Sequence, residues 1–198
     1  MGKICFIDVE TTGLEPFRHE TLEVAIVTEE RGEPIDEWCS KVSPCRLGLA
    51  SPVALKLNGF SVEEWAGAPA KEEVALKVRH ALRGCTAVGH NVAFDLGFLA
   101  ALCVEAGIAR PAAPHEVLEI EGTVDTVALV REHLFPTGLK SASLDNTRRW
   151  LGWDTAGGHR ALKDAQDCQR LYGRLLRASI WDRAIWSVLG PRRMRSAA

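Results

Sequence analysis

Asp8 and Glu10 stand two positions apart at the end of an apolar run, within the stretch Lys3–Leu14, K-I-C-F-I-D-V-E-T-T-G-L. If that stretch is a strand, alternation puts both carboxylates on one side, with Cα atoms roughly 6.5–7 Å apart. Free Asp and Glu side chains ionise near about 3.9 and 4.3, so the two repel each other at neutral pH. A divalent cation would relieve that repulsion, and an all-oxygen donor set suits Mg²⁺ or Mn²⁺ better than zinc. On its own, D-x-E reads first as a strand emerging into solvent. Two more acids draw attention. Asp95 lies in the first turn of a nearly all-apolar helix, where its plainest role is to favour the helix dipole. Asp164 follows His159-Arg160-Ala161-Leu162-Lys163. Two histidines share one spacing: His90 is five residues before Asp95, and His159 is five before Asp164. An imidazole with an unperturbed pKa of about 6.5 can accept a proton near neutral pH. Five residues of regular helix turn through about 500°, leaving the ends ~140° apart. His159 and Asp164 can therefore face one site only if His159 sits on the Gly157-Gly158 loop or at its junction with the helix.

The elements that must position these groups follow from periodicity. Ile4–Ile7 reads as a strand buried on both faces, ended by Thr11-Thr12-Gly13. Leu22, Val24 and Ile26 mark a second strand over 20–28, and a turn at 29–32 leads to a third over 34–42, so this part is an antiparallel meander. The stretch 43–69 is irregular, with a short helical piece around 52–57 and an Asn58-Gly59 turn. Trp65 in this arm either anchors it or stacks on a base, and anchoring is the plainer reading. An amphipathic helix spans 71–83 with Val74, Val78, Ala81 and Leu82 on one face, stopped at Gly84. A short strand over 86–88 ends at Gly89-His90-Asn91, and the apolar helix 92–106 follows. The stretch 108–124 is a Pro-containing connection. Helices are expected over 125–135, capped by Asp125, over 143–151, and from the stretch 159–165 to about 177 with Ala161, Ala165, Cys168, Leu171 and Leu175 as its apolar stripe. A last short helix over 180–189 precedes a basic tail starting at Gly190-Pro191. Strands alternating with helices define an α/β mixed sheet with covering helices.

Composition sets outer bounds. A chain of 198 residues with 46% apolar and 25% charged residues suits one globular domain with a substantial core. No apolar run approaches the ~20 residues of a membrane span, no signal peptide is evident, and Phe6 occupies the position where a myristoylation signal needs Ser or Thr. A soluble cytoplasmic protein is expected. The six cysteines form no C-x-x-C pair and most lie in apolar stretches, the pattern of packed, reduced thiols. Charge is uneven: residues 1–120 hold 11 Lys/Arg and 18 Asp/Glu, whereas residues 121–198 hold 13 and 8. The C-terminal part is thus a candidate phosphate-facing side, although helix surfaces are often basic by chance.

Three segments carry a resemblance. F-I-D-V-E-T-T-G-L, G-H-N-V-A-F-D-L-G-F-L and H-R-A-L-K-D-A resemble, in order, the three motifs of the DnaQ-like, DEDDh 3′–5′ exonucleases, the group of the bacterial proofreading subunit and RNase T. The resemblance runs from about Lys3 to Arg177. It implies an RNase H-like mixed five-stranded sheet flanked by helices, with residues 1–178 as the exonuclease domain and 179–198 as a short C-terminal helix and basic tail. It also implies that Asp8, Glu10, Asp95 and Asp164 hold two ions, Mg²⁺ or Mn²⁺, and that His159 is the general base. Hydrolysis of a phosphodiester needs neutralised phosphate charge and a stabilised leaving oxygen, which two ions ~3.5–4 Å apart supply. Thr11, Thr12, Gly13, Leu14 and Asn91 become substrate-binding candidates, with Leu14 as an apolar wedge against a base.

Asp167 departs from the family pattern, and its expected state is pairing with Lys163 or solvation. A long C-terminal extension of the kind that tethers the proofreading subunit to its polymerase is not evident. The expected activity is metal-dependent 3′–5′ hydrolysis at single-stranded 3′ ends, DNA first, releasing nucleoside monophosphates. The alternatives are RNA trimming of the RNase T or oligoribonuclease type and, from a different class, a catalytically silent nucleic-acid-binding module. A polymerase or homodimer partner is not readable, and no membrane association is expected.

Overall fold

The computed structural model describes residues 2–156 and 160–196. Five strands form one sheet: β1 (Lys3–Thr11), β2 (Thr21–Glu30), β3 (Glu33–Lys41), β4 (Cys85–Gly89) and β5 (Gly122–Asp125), in the order β3-β2-β1-β4-β5. The β1–β2 and β2–β3 pairs are antiparallel, whereas β1–β4 and β4–β5 are parallel. This is the mixed five-stranded sheet with flanking helices that the family resemblance implies.

The period of two along β1 assigns its faces. Cys5, Ile7 and Val9 point into a core shared with α2 (Lys71–Leu82), α3 (Val92–Glu105) and α4 (Pro114–Leu118). Phe6 points the opposite way, with Ala25, Val27 and Val88, against Ala161, Ala165 and Cys168 of α7 (Ala161–Leu176). Asp8 and Glu10 continue the Phe6 row, so both carboxylates face the N-terminal end of α7. At the end of β1 the ladder with β2 shifts register between Glu10 and Thr11. Such an irregularity turns the strand and re-aims the residues that follow.

The arm 43–69 holds α1 (Pro52–Leu57), N-capped by Ser51. Trp65 anchors it: the side chain is buried and its Nε1–H donates to the Leu22 carbonyl at 3.0 Å. The residue is accordingly not open to stack on a base.

Two expectations are corrected. The connection 108–124 contains α4 and leads into β5, a fifth strand of four residues, GTVD, with no hydrophobic alternation of its own. It is a strand because β4 offers a parallel edge, with Thr86 opposite Gly122 and Gly89 opposite Asp125. The basic tail expected from Gly190 onward is helix: α8 runs Ile180–Ser196 through Pro191. Its continuation has a packing cause. A Cβ at Gly190 would lie 2.1 Å from the Trp150 ring, so only glycine lets α8 approach α6 (Leu144–Leu151) this closely. Arg193 Nη1 then donates to the Trp150 carbonyl at 3.1 Å. Trp150, Trp186, Leu171 and Leu175 form a second core with Val130 and Leu134, joining α8 to α6, α7 and α5 (Thr126–His133). Among the described residues no helix is long and apolar enough to cross a membrane.

Candidate active site

Carboxylate oxygens of Asp8, Glu10 and Asp164 all lie within 4.8 Å of one another. Two come from the end of the central strand and the third from the first turn of α7, so the site exists only where that helix meets β1. Asp95 approaches from the other side of the sheet end. It is buried, and its Oδ1 accepts from the Val9 amide at 3.2 Å, between the two acids of β1. The structure thus brings Asp8, Glu10 and Asp164 into one tight group and sets Asp95 against the backbone beside them. Gly89 makes this possible, since a Cβ there would come within 3.0 Å of both Asp95 Oδ2 and the Val92 backbone.

The electrostatics of the group are adverse. Burial pushes the Asp8 carboxyl well above the usual carboxylate range, and the charges of Asp95, Asp164 and Glu10 push it further, against the pull of Arg148. Burial is also the main cause for Asp95, which is raised although the Val9 amide opposes the shift. Glu10 is pushed up to about 8, by burial first and then by Asp164 and Glu23. Glu23 is its cross-strand partner on β2, itself buried. Clustered oxygen donors that repel one another in a low-dielectric setting fit a hard divalent cation.

A pH prediction follows. A carboxyl raised in the folded state keeps its proton between its unfolded value near 4.5 and about 8, while the unfolded chain has released it. The unfolded state then binds fewer protons, so metal-free stability falls as pH rises through that window. Thermal melts in chelator should show a lower Tm at pH 8 than at pH 6, and Glu10→Gln should flatten that difference. An unchanged pH dependence in the variant would remove Glu10 from the cause.

The other predicted site residues divide by exposure. Thr11 Oγ1 donates to the Gly13 carbonyl at 2.6 Å, and Thr12 Oγ1 accepts from the Glu20 amide at 2.8 Å. Both hydroxyls thus hold the turn after β1. Gly13 leaves room for His19, whose ring would lie 2.2 Å from a Cβ. Leu14 is 79% exposed, an apolar side chain standing in solvent just after the turn that ends β1. Asn91 joins β4 to α3 with φ 79° and ψ 50°, a left-handed conformation that Asn tolerates, and its side chain is exposed. Its amide donates to Asp125 Oδ1, and the same oxygen caps α5 through Val127, so Asp125 is the structural cap the sequence predicts. His159 lies outside the described residues. His90 is held from both ring nitrogens, Nδ1 with Thr126 Oγ1 at 2.9 Å and Nε2 with the Ala142 carbonyl at 2.6 Å. Since a carbonyl only accepts, Nε2 carries a proton. Burial lowers the His90 pKa.

Sequence reasoning missed Arg148. On a short helix ending Arg148-Arg149-Trp150 it reads as surface, yet it is 1% exposed. Its Nη2 donates to Asp164 Oδ1 at 2.6 Å, Nε to Asp167 Oδ2 at 2.8 Å and Nη1 to Asp145 Oδ1 at 3.0 Å. Asp167 does pair with Lys163, at 2.5 Å, but it is buried and shared with Arg148. The only sequence signal was Asp167 itself, an extra acid on the inward side of α7 that needed a partner.

Comparison with known proteins assigns the chain to a family. The RNase_T exonuclease family model matches residues 5–172, and the chain belongs to that family. The PolC-type DNA polymerase III of Pediococcus pentosaceus is 32% identical over 167 residues, 83% of this chain and 11% of that protein. The PolC-type enzyme of Bacillus cereus is 30% identical over 170 residues, again 11% of its length. The chain therefore spans about a tenth of these curated relatives. Among solved structures, E. coli exonuclease I in complex with a dT13 oligonucleotide aligns with a TM-score of 0.73 at 17% identity, covering 89% of this chain and 41% of that one. Exonuclease I from Methylocaldum szegediense aligns with a TM-score of 0.73 at 19% identity, covering 99% and 45%. These likenesses establish the RNase H-like exonuclease fold.

Proposed function

We propose that the protein is a metal-dependent 3′–5′ exonuclease acting on single-stranded DNA ends and releasing nucleoside monophosphates. The observation that carries this reading is the trio of Asp8, Glu10 and Asp164, gathered within 4.8 Å in a chain of an exonuclease family. These three would hold Mg²⁺ or Mn²⁺, with Asp95 completing the donor set. Bound ions would supply charge neutralisation for the phosphate and stabilisation of the leaving oxygen. The chain's own residues do the rest. The β1 strand and the first turn of α7 hold the carboxylates in fixed relation. Leu14, an exposed apolar side chain, would pack on the terminal base, and Asn91, also exposed, would offer its side-chain amide to the substrate. His159 would take the proton of the attacking water. Residues 1–178 would form the exonuclease domain. Exonuclease I, bound to dT13 in the solved complex, supports a single-stranded DNA substrate, and the PolC relatives support a polymerase context.

The test is a product ladder from 5′-labelled DNA and RNA oligonucleotides with Mg²⁺, Mn²⁺ or chelator. Stepwise shortening of DNA, lost in chelator, is expected. Degradation of RNA alone would replace the DNA reading with RNA trimming, and binding without cleavage would replace the enzyme with a binding module.

Phosphate binding is open to a separate measurement. Arg160 is half exposed, 3.8 Å from Glu23, whereas the Lys163 ammonium is held by Asp167. Removing one cation that neutralises a phosphate of a single strand reduces the log–log salt slope of binding by about 0.7. Arg160→Ala should show that reduction and Lys163→Ala much less of it. An unchanged slope in the double variant would place the phosphate-binding groups elsewhere.

A further inference from the structure

The mutually bonded set Arg148, Asp145, Asp164, Asp167 and Lys163 contains two cations and three carboxylates. Asp167 is shared by both cations, at 2.8 Å from Arg148 and 2.5 Å from Lys163. The Asp145 carboxylate is partly exposed. Asp164 is the one acid of the three that also faces Asp8 and Glu10.

From this we infer that Arg148 is a positioning residue for the active site: it fixes the Asp164 carboxylate so that a cation meets a preset ligand. The inference rests on the reading of Asp164 as a metal ligand. A guanidinium is a rigid planar fork, and here each of its nitrogens is committed to a different carboxylate. Asp167 and Asp145 set the orientation of the fork, and the fork then sets Asp164. Arg148 takes one oxygen of Asp164, at 2.6 Å, and a carboxylate has a second to offer a metal. A buried charge network of this kind is poorly explained by stability alone, since well-packed apolar groups usually serve a fold as well or better. Partners that orient a metal ligand are typically worth about 10- to 100-fold in metal affinity or activity.

The design of the test separates orientation from folding. Arg148→Met alone leaves buried Asp167 with Lys163 as its remaining cation and Asp164 without its guanidinium, and is expected to lose much of its stability. Arg148→Met with Asp167→Leu removes the buried charge together with its partner, so this double variant should fold. Arg148→Lys keeps a charge but not the fork. Asp167→Leu alone leaves Asp145 and Asp164 on Arg148 and isolates the loss of one of the two carboxylates that orient the fork. Mn²⁺ binding to the metal-free full chain is read by electron paramagnetic resonance, independent of turnover. Asp167→Leu alone should bind Mn²⁺ more weakly than wild type and more tightly than the double variant. The double variant should bind about 10- to 100-fold more weakly than wild type, with Arg148→Lys between the two. In the nuclease assay the Mn²⁺ concentration for half-maximal rate should rise in parallel, while kcat at saturating Mn²⁺ changes less. A folded double variant with wild-type Mn²⁺ affinity would overturn the inference, as would loss of fold in both the double and the lysine variants, which would assign the network to stability alone. Absence of Mn²⁺ binding by wild type would overturn the metal reading first, and this inference with it.

Discussion

Asp8→Ala and Asp164→Ala should each lower the rate of 3′-end hydrolysis by roughly 10³-fold or more while the protein stays folded. The size follows from the several kcal/mol that a positioned divalent cation contributes to a charged transition state, at about tenfold per 1.36 kcal/mol. Removing one carboxylate breaks the trio of oxygen donors that lie within 4.8 Å of one another. The fold should survive for an electrostatic reason. Asp8 is repelled by Asp95, Asp164 and Glu10, so its truncation relieves the metal-free protein. Asp8→Asn, which keeps the shape, should raise the metal-free Tm even as activity vanishes. In Asp164→Ala the Arg148 guanidinium keeps Asp145 and Asp167. Chelator should abolish activity in wild type, and Mg²⁺ or Mn²⁺ should restore it. Hydrolysis that persists in excess chelator, or an Asp8→Ala enzyme near wild-type rate, would end the metal model.

His159→Ala should lower kcat by about 10²- to 10⁴-fold, the usual worth of a positioned base, with little change in oligonucleotide affinity. The acid limb of the pH–rate profile, expected near pH 6–7 for a histidine base, should weaken with it. His90→Ala should act differently. Both His90 nitrogens are occupied, by Thr126 and by the Ala142 carbonyl, so the ring ties β4 to α5 and to the segment before α6. Its loss would leave the Ala142 carbonyl and the Thr126 hydroxyl without that partner, a cost of about 1–3 kcal/mol when such groups are buried. The measurement is paired: melting curves and single-turnover rates for both variants. A folded His90→Ala that is inactive, beside a His159→Ala near wild type, would reverse the assignment.

Where local periodicity dictates structure, the sequence alone was sufficient. A two-residue alternation along β1 puts Asp8 and Glu10 on the Phe6 side whatever the rest of the chain does. The α7 stripe of Ala161, Ala165, Cys168, Leu171 and Leu175 is buried throughout, as a 3.6-residue repeat requires. Asp125 caps its helix because a side-chain oxygen there meets a free amide of the first turn. Asp8, Glu10 and Asp164 are singled out as a set by the three motifs, and the fold gathers their carboxylates within 4.8 Å.

Tertiary structure decided what depends on a distant neighbour. GTVD becomes β5 only because β4 presents an edge. Gly190-Pro191 has the local signature of a helix end, but the fit of Gly190 against Trp150 carries α8 onward. Thr11 and Thr12 read as substrate-binding groups, yet their hydroxyls are engaged within the turn itself. Arg148 is the clearest instance. Sequence gives its charge, and on a short helix a charge points to solvent. Its burial depends on Asp164 and Asp167, 16 and 19 residues further along the chain. A buried guanidinium is tolerable only when carboxylates from another element meet it, and no local pattern specifies that meeting.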